Sequence, residues 1–493
     1  MSDISTGTYL SEIAPQQFFQ EDPCSIDYFV RAILNHPTTV KVIEIALFIL
    51  GTALIAILPY TIPELGKVCA LSLACLGGLI ILITYLFHET LELLPPYFDM
   101  STHLYQPFTS RDSNGTQLYY ENDIPILIIN ADNPYQAGYD HGYHLGIGIS
   151  KMLEIWDPLL HDKYGYPRAE EIPKSIKAFC SIIPKAHLDE LRGLVKGYNQ
   201  WIDEQNNHLH IRLSFESALV FHFVSDIMHY KPSDDHIPAR SPITTRINDL
   251  QRVGCTVVVD RDENQNIVAA RNMDWGLVGA YTVIFKRKYA NFETLEIGFP
   301  GLIGTVTGRK DSGFTVMMNI AFGQTSEVRG MPTCFFNRAC LENCNSVSEV
   351  ENFLKDYNPL GPFHLIAIDN QNAKSFHMHQ NADEQSPHYV TRSLFDQQPL
   401  IVTNCAYPDH TGRGEDFVGS HLREESLEAF FRDARKKIAK DKYDPLAILG
   451  AAMKLPHVCN PITAQSILFS KDKVELVFDN YFAAEKPLHL LKV

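Results

Sequence analysis

At 493 residues the chain is long enough for more than one domain and a large core. Its 42 Lys and Arg stand against 58 Asp and Glu, a net charge of −16 with no cationic cluster. A phosphate-binding surface needs such clusters, so the composition argues against nucleic acid as a partner.

Residues 1–38 are polar, contain Pro15, Pro23 and Pro37, show no basic-then-apolar leader pattern and read as an exposed arm. Segment 39–88 carries two uncharged runs, Ile45 to Ile62 and Val68 to Phe87, joined by Pro63-Glu64-Leu65-Gly66-Lys67. Each run approaches the roughly 20 residues that cross a hydrocarbon core about 30 Å thick. They predict a two-helix transmembrane hairpin and hence a multi-pass membrane protein, with flanking charge too balanced to set orientation. Residues 89–120 are rich in Pro, Ser, Thr and Asn and read as a linker.

The region 121–254 begins with a buried strand, Ile124 to Ile129. Asn130 to Tyr135 then ends the strand and caps a helix through Gly138, His141 and Leu145. Its glycines suggest close packing on a sheet. Leu188, Leu191, Leu194, Tyr198 and Trp201 recur at helical spacing within two helices over 187–230. Lys231 to Asn248, with Pro232, Pro238 and Pro242, is expected to be an exposed irregular loop.

Two β-branched runs follow, Gly254 to Asp260 and Ile267 to Trp275, separated by the polar turn 261–266. They predict a β-hairpin whose outer ends gather Cys255, Arg271 and Asp274. As an internal residue, Cys255 is an ordinary small buried hydrophobe. Cutting Gly254-Cys255 would give it an α-amine with a pKa of about 7.7 to 8.0 beside a thiol near 8.5, so that one residue carries base and nucleophile. Arg271 would favour the thiolate, and Asp274 would hold the ammonium.

Downstream, alternation predicts strands at Tyr281 to Phe285, Thr294 to Ile297, Phe314 to Met318, His364 to Ile368 and Leu400 to Val402. Helical stretches lie at Phe336 to Leu341, Val347 to Asp356 and Arg423 to Lys440. The mixture predicts a layered α/β (α+β) fold. His364, His377 and His379 are strand histidines, and Cys334, Cys340 and Cys344 are core thiols, so neither a metal nor a cofactor is expected. The ten cysteines, Cys69 and Cys75 among them, show no disulfide framework.

The Cys-Thr start of the hairpin and its Arg271-Asn272-Met273-Asp274-aromatic end resemble acid ceramidase and N-acylethanolamine-hydrolysing acid amidase. The resemblance continues through Gly301 to Gly308, Gly313 to Asn319, Phe336 to Asn343 and Val402-Thr403-Asn404. It implies the four-layer αββα sandwich of N-terminal nucleophile hydrolases, here preceded by the transmembrane hairpin, with 255–493 as the catalytic region. It also implies Cys255 as nucleophile, Asn404 as oxyanion donor and a further arginine, for which Arg423 is the match and Arg413 a rival. The function this implies is autocleavage at Gly254-Cys255, leaving associated α and β fragments, then hydrolysis of an N-acyl lipid such as ceramide beside a membrane. The alternatives are an N-acylethanolamine or other N-acyl amide as substrate, acyl transfer, or a catalytically silent membrane-anchored interaction protein.

Overall fold

In the computed structural model the described residues are 115–121, 124–153, 179–205, 211–223, 226, 253–275, 282–321, 330–379, 388–395, 398–405, 419–437, 444–459, 463–471, 473–478 and 489–492. The arm 1–38, the loop 231–248 and the expected hairpin 39–88 lie outside them. Among the described residues no helix is long and apolar enough to cross a membrane, and this overturns the multi-pass localisation expected from the sequence. The longest described helix spreads charged residues such as Asp189, Arg192 and Lys196 through its 21 residues. The most apolar ones have only eight. An uncharged run of suitable length is necessary for a span but does not establish one.

Upstream of the hairpin lie β1 (Gln117–Glu121), β2 (Ile124–Ile129), α1 (Pro134–His144), α2 (Lys185–Gln205) and α3 (Phe215–His222). Asn133 caps α1, its side chain accepting the Gln136 N–H, and Pro134 opens the first turn. The glycines of α1 serve a helix rather than the expected sheet. A Cβ on Gly138 would stand 1.8 Å from the Glu190 carbonyl oxygen, and one on Gly193 would stand 1.9 Å from that of Tyr135. The backbones of α1 and α2 therefore touch directly.

The hairpin is β3 (Val253–Arg261) with β4 (Ile267–Trp275). Its turn is closed by Asp262, whose carboxylate accepts the N–H groups of Asn264 and Asn266, with Gln265 at φ 64°. Then come β5 (Val283–Lys288), β6 (Glu293–Gly298), β7 (Thr307–Lys310), β8 (Thr315–Ile320), α4 (Thr333–Asn343) and α5 (Val347–Asp356). The rest are β9 (Phe363–Ile368), β10 (Ala373–His379), β11 (His388–Ser393), β12 (Leu400–Val402), α6 (Ser420–Lys437), α7 (Pro445–Ala452), β13 (Thr463–Phe469), β14 (Lys473–Phe478) and β15 (His489–Lys492).

The strands form two sheets, a nine-stranded one in the order β1-β2-β5-β6-β7-β8-β9-β10-β11 and a six-stranded one in the order β12-β3-β4-β13-β14-β15. Their apolar faces meet in one core, where Val257, Val259 and Ala269 pack with Ile284, Leu295, Met317 and Ile366. On its other face the six-stranded sheet presents Val258, Val268 and Ala270 to Leu427, Phe431, Ile448 and Leu449 of α6 and α7. On the nine-stranded sheet α4 contacts β7 and β8, α5 contacts β9 and α1 contacts β2. The result is a mixed α/β fold with helices outside two facing sheets. β1 already occupies the end of the stretch expected to be a linker, and the 254/255 boundary runs through β3.

Candidate active site

Period-two alternation along the hairpin decides which side chains meet. Cys255 pairs with Met273, and Val257 with Arg271. The odd-numbered residues Val257, Val259, Ile267 and Ala269 face the second sheet, whereas Val258, Val268 and Ala270 face the helices. Cys255 and Arg271 are thus diagonal neighbours between the sheets. Asp274 falls on the helix side of the same strand end, so the expected trio is divided between two faces.

Between the sheets, Arg271 Nη2 lies 3.7 Å from Cys255 Sγ and donates to the Met318 carbonyl at 2.5 Å. Nη1 donates to the Val306 carbonyl and the Thr307 hydroxyl. These oxygens aim the guanidinium without neutralising it, so its charge is left to act on the thiol. Burial pushes the Cys255 thiol up, opposed chiefly by Arg271, while the nearby Asp274 adds to the rise.

On the helix side, Arg423 reaches from the first turn of α6 to the start of β3. Its Nη1 donates to the Cys255 carbonyl at 2.7 Å and to Thr256 Oγ1 at 2.8 Å. Nη2 donates to Asn404 Oδ1 at 2.8 Å and to Ser420 Oγ at 3.0 Å. Asp274 Oδ2 lies 3.8 Å from Nη1, and Asp274 Oδ1 accepts from Thr463 Oγ1 at 2.6 Å.

Asn404, just after β12, accepts the Cys255 N–H at 2.7 Å through Oδ1 and donates from Nδ2 to the Ile320 carbonyl at 2.5 Å. Two donors on one atom fix that atom as the oxygen. A Cβ on Gly254 would come 3.0 Å from Asp274 Oδ2, so the residue before the thiol lies directly against that carboxylate.

The chain thus brings Cys255, Arg271, Asp274, Asn404 and Arg423 together; all five are buried. Arg413 lies outside the described residues. Sequence reading missed Thr307, Ser420 and Thr463, which hold Arg271, Arg423 and Asp274. It also missed the carbonyls of Val306, Met318 and Ile320. Val306 and Thr307 sat inside Gly301 to Gly308, Met318 inside Gly313 to Asn319 and Ser420 three residues before Arg423, but nothing in those stretches marked them as partners of the site. The expected strand histidines His364 and His377 are buried with rings stacked at 4.6 Å. Among the described residues no group of three His, Cys, Asp or Glu is placed to hold a metal ion.

A family model described as acyl-coenzyme A:6-aminopenicillanic acid acyl-transferase matches residues 260–404. Acid ceramidase of Heterocephalus glaber is 22% identical over 200 residues, covering 32% of this chain and 50% of that protein. The chain therefore spans about half the length of this curated relative. A Caenorhabditis elegans ortholog of N-acylethanolamine-hydrolyzing acid amidase superposes at 17% identity with a TM-score of 0.34, over 44% of this chain and 92% of that one. A variant of conjugated bile acid hydrolase from Clostridium perfringens does so at 15% identity with a TM-score of 0.31, over 48% and 92%.

Two facing sheets hold a buried cysteine near the start of a hairpin strand with a buried arginine at its side, in a mixed α/β arrangement whose sequence is similar to an acyl-transferase family model and to an acid ceramidase. The family-model and acid ceramidase matches support a likeness to acid ceramidase and N-acylethanolamine-hydrolysing acid amidase.

Proposed function

We propose that this chain cleaves itself before Cys255 and then hydrolyses the amide bond of N-acyl lipids, ceramide among them. The observation that carries the reading is the doubly served Cys255: Arg271 lies 3.7 Å from its sulfur, and Asn404 Oδ1 lies 2.7 Å from its nitrogen. A nucleophile and a future amine are held at one residue, each by its own partner.

In the first step the Cys255 sulfur attacks the Gly254 carbonyl carbon. The C–N bond breaks, nitrogen takes the thiol proton, and a thioester links Gly254 to Cys255. Water hydrolyses it, leaving a carboxylate on Gly254 and an α-amine on Cys255. The new amine stays on Asn404 Oδ1, the acceptor that already holds that nitrogen. Asp274, which lies against Gly254, supplies the negative charge that favours the ammonium.

In the mature site the amine accepts the thiol proton as sulfur attacks the substrate amide, then returns it to the departing amine. The resulting thioester is opened by water, releasing the fatty acid. The Nδ2 of Asn404 is the candidate oxyanion donor, and Arg423 holds Asn404 in place. Transfer of the acyl group to a second amine shares every step up to the thioester. The family model that matches 260–404 is named for such a transfer, so this is the second reading.

The test is the intact mass of purified protein. A new N-terminus at Cys255, absent in Cys255→Ala, is the expected result, followed by release of fatty acid from ceramide or an N-acylethanolamine by the cut form. An uncut chain that hydrolyses these amides equally well would remove the α-amine as base.

A further inference from the structure

The turn between β6 and β7, residues 299–306, leads into two of the three groups that aim Arg271, the Val306 carbonyl at its end and the Thr307 hydroxyl at the start of β7. Its C-terminal half is held by α4. The Thr305 N–H donates to the Cys334 carbonyl at 3.1 Å, Asn337 Nδ2 to the Thr305 carbonyl at 2.8 Å, and Arg338 Nη1 to the Ile303 carbonyl at 2.6 Å. Its N-terminal half is held by two histidines from upstream of Cys255. The Gly301 N–H donates to His141 Nε2 at 3.0 Å, and the Ile303 N–H donates to His222 Nε2 at 2.9 Å.

We propose that His141 of α1 and His222 of α3 are positioning residues for the nucleophile, fixing through the 299–306 turn the carbonyl and hydroxyl that hold Arg271 beside Cys255 Sγ. The inference rests on Cys255 being the nucleophile, as read above. It gives the segment before the cleavage point a part in the chemistry after cleavage.

Both rings can do this only when neutral. His222 Nδ1 lies 2.7 Å from the Ala218 carbonyl, so its proton sits there and Nε2 is bare to accept. His141 accepts through Nε2 in the same way, while among the described residues its Nδ1 has no hydrogen-bond partner. A buried ring with one side unsatisfied points to the acceptor side as the purpose of the residue. Phe285 packs on His141 at 4.8 Å between ring centres, and Phe335 stacks on His222 at 4.9 Å, so both rings are fixed in orientation.

The surroundings also keep them neutral. Burial pushes His141 well down, helped by Arg287, His222 and Arg338 and opposed by Glu190. Burial likewise lowers His222 to about 4, with the Ala218 carbonyl and Glu190 opposing and Arg338 and His187 assisting. Protonation at Nε2 would set an N–H against a backbone N–H and release that end of the turn.

The test uses the full-length, self-cleaved protein carrying His222→Leu or His222→Gln. Its readouts are kcat and KM for an N-acyl amide and the pH profile of Cys255 alkylation by iodoacetamide. In His222→Leu with native circular dichroism, kcat should fall about tenfold at little cost in KM, and the alkylation midpoint should rise by about one pH unit as Arg271 loses its aim. In His222→Gln the amide oxygen keeps the acceptor, so activity at neutral pH should largely return. The loss of kcat near pH 4 should disappear, because an amide does not titrate there. A folded leucine variant with unchanged kcat and alkylation profile would overturn the inference. So would a glutamine variant with an unchanged acid limb, which covers the case in which leucine fails to fold. Cys255→Ala separates the two levels: if it retains activity the nucleophile reading falls and this inference with it, whereas if it is inactive while both His222 variants behave as wild type, only this inference falls.

Discussion

Arg423 places Nη2 2.8 Å from the side-chain oxygen of Asn404, the same oxygen that accepts the Cys255 N–H at 2.7 Å. The two residues therefore act as one unit on the residue that would become the new N-terminus. Arg423 fixes the amide orientation, and the amide fixes the nitrogen. The same arginine holds the Cys255 carbonyl at 2.7 Å, so Cys255 is gripped on both sides of its Cα.

Asn404→Ala removes the acceptor of the Cys255 N–H and one of the two acceptors of Arg423 Nη2. Self-cleavage should slow by a factor of about 100 to 1,000, the scale of losing one preorganised donor or acceptor at a reacting centre. Intact mass measured over time after synthesis reads it directly. Asn404→Asp restores the oxygen but not the Nδ2 donor to Ile320, so it should cleave faster than alanine while hydrolysing substrate poorly. Alanine and aspartate cleaving alike would show that the oxygen is not what matters.

Arg271→Lys replaces a fork by a point charge. One ammonium cannot serve the Val306 carbonyl, Thr307 hydroxyl and Met318 carbonyl together and still face the sulfur. Each buried acceptor left unmet costs about 1 to 3 kcal/mol, so the variant should unfold at clearly lower urea. Its Cys255 thiol should ionise at higher pH, because Arg271 is the main group opposing the effect of burial. A lysine variant with wild-type stability and alkylation profile would contradict both expectations.

Much of this site could be read from sequence because it is local. A hairpin with a six-residue polar turn fixes which ends meet, and alternation of β-branched residues fixes the strands. Alternation also divides Asp274 from Cys255 and Arg271, a consequence of register that a statement about strand ends does not reveal. Arg423 could be matched by resemblance alone. What selects it physically is its place in the first turn of α6, opposite Thr256 on the helix face of β3. The partners of Arg271 were not legible, since two of the three are backbone carbonyls supplied by β8 and the turn before β7. The apolar runs of 39–88 show the opposite case, a pattern clear in sequence that lies outside the described residues, among which no helix is long and apolar enough to cross a membrane.

Acid should weaken the fold through the buried histidines before it reaches the carboxylates. His222 is lowered to about 4 in the folded chain from an ordinary value of 6.5. A lowered folded value means the folded state binds fewer protons than the unfolded one, so the stabilisation is complete above about pH 6.5 and is lost as pH falls through about 4. The shift corresponds to something on the order of 3 kcal/mol. Urea midpoints measured from pH 7.5 to 4 should fall steadily, and His222→Gln should flatten the slope. Glu190, lowered to about 2 in the folded chain, begins to contribute only below its ordinary 4.5. A midpoint that holds constant down to pH 4.5 would remove the histidines as the cause.

Glu190 itself joins the upstream region to the catalytic one. From α2 it meets Arg287 of β5 and Arg338 of α4, each at 2.6 Å, with all three side chains nearly inaccessible to water. Arg338 also holds Glu342 at 2.8 Å, and Arg287 Nε lies 3.1 Å from Glu296. Such a network adds little over a well-packed apolar core, but removing one member leaves the others buried and uncompensated, at about 3 to 5 kcal/mol. Glu190→Gln should therefore lower the urea midpoint well beyond the effect of an exposed change such as Glu428→Gln. In self-cleaved protein it should also let the upstream fragment separate from the downstream one at urea concentrations the wild type survives, as gel filtration would show. If the fragments of the variant stay together as firmly as before, then the direct backbone contact of α1 with α2 and the histidine contacts to the 299–306 turn are sufficient. The ion network would then be a consequence of assembly rather than a reason for it.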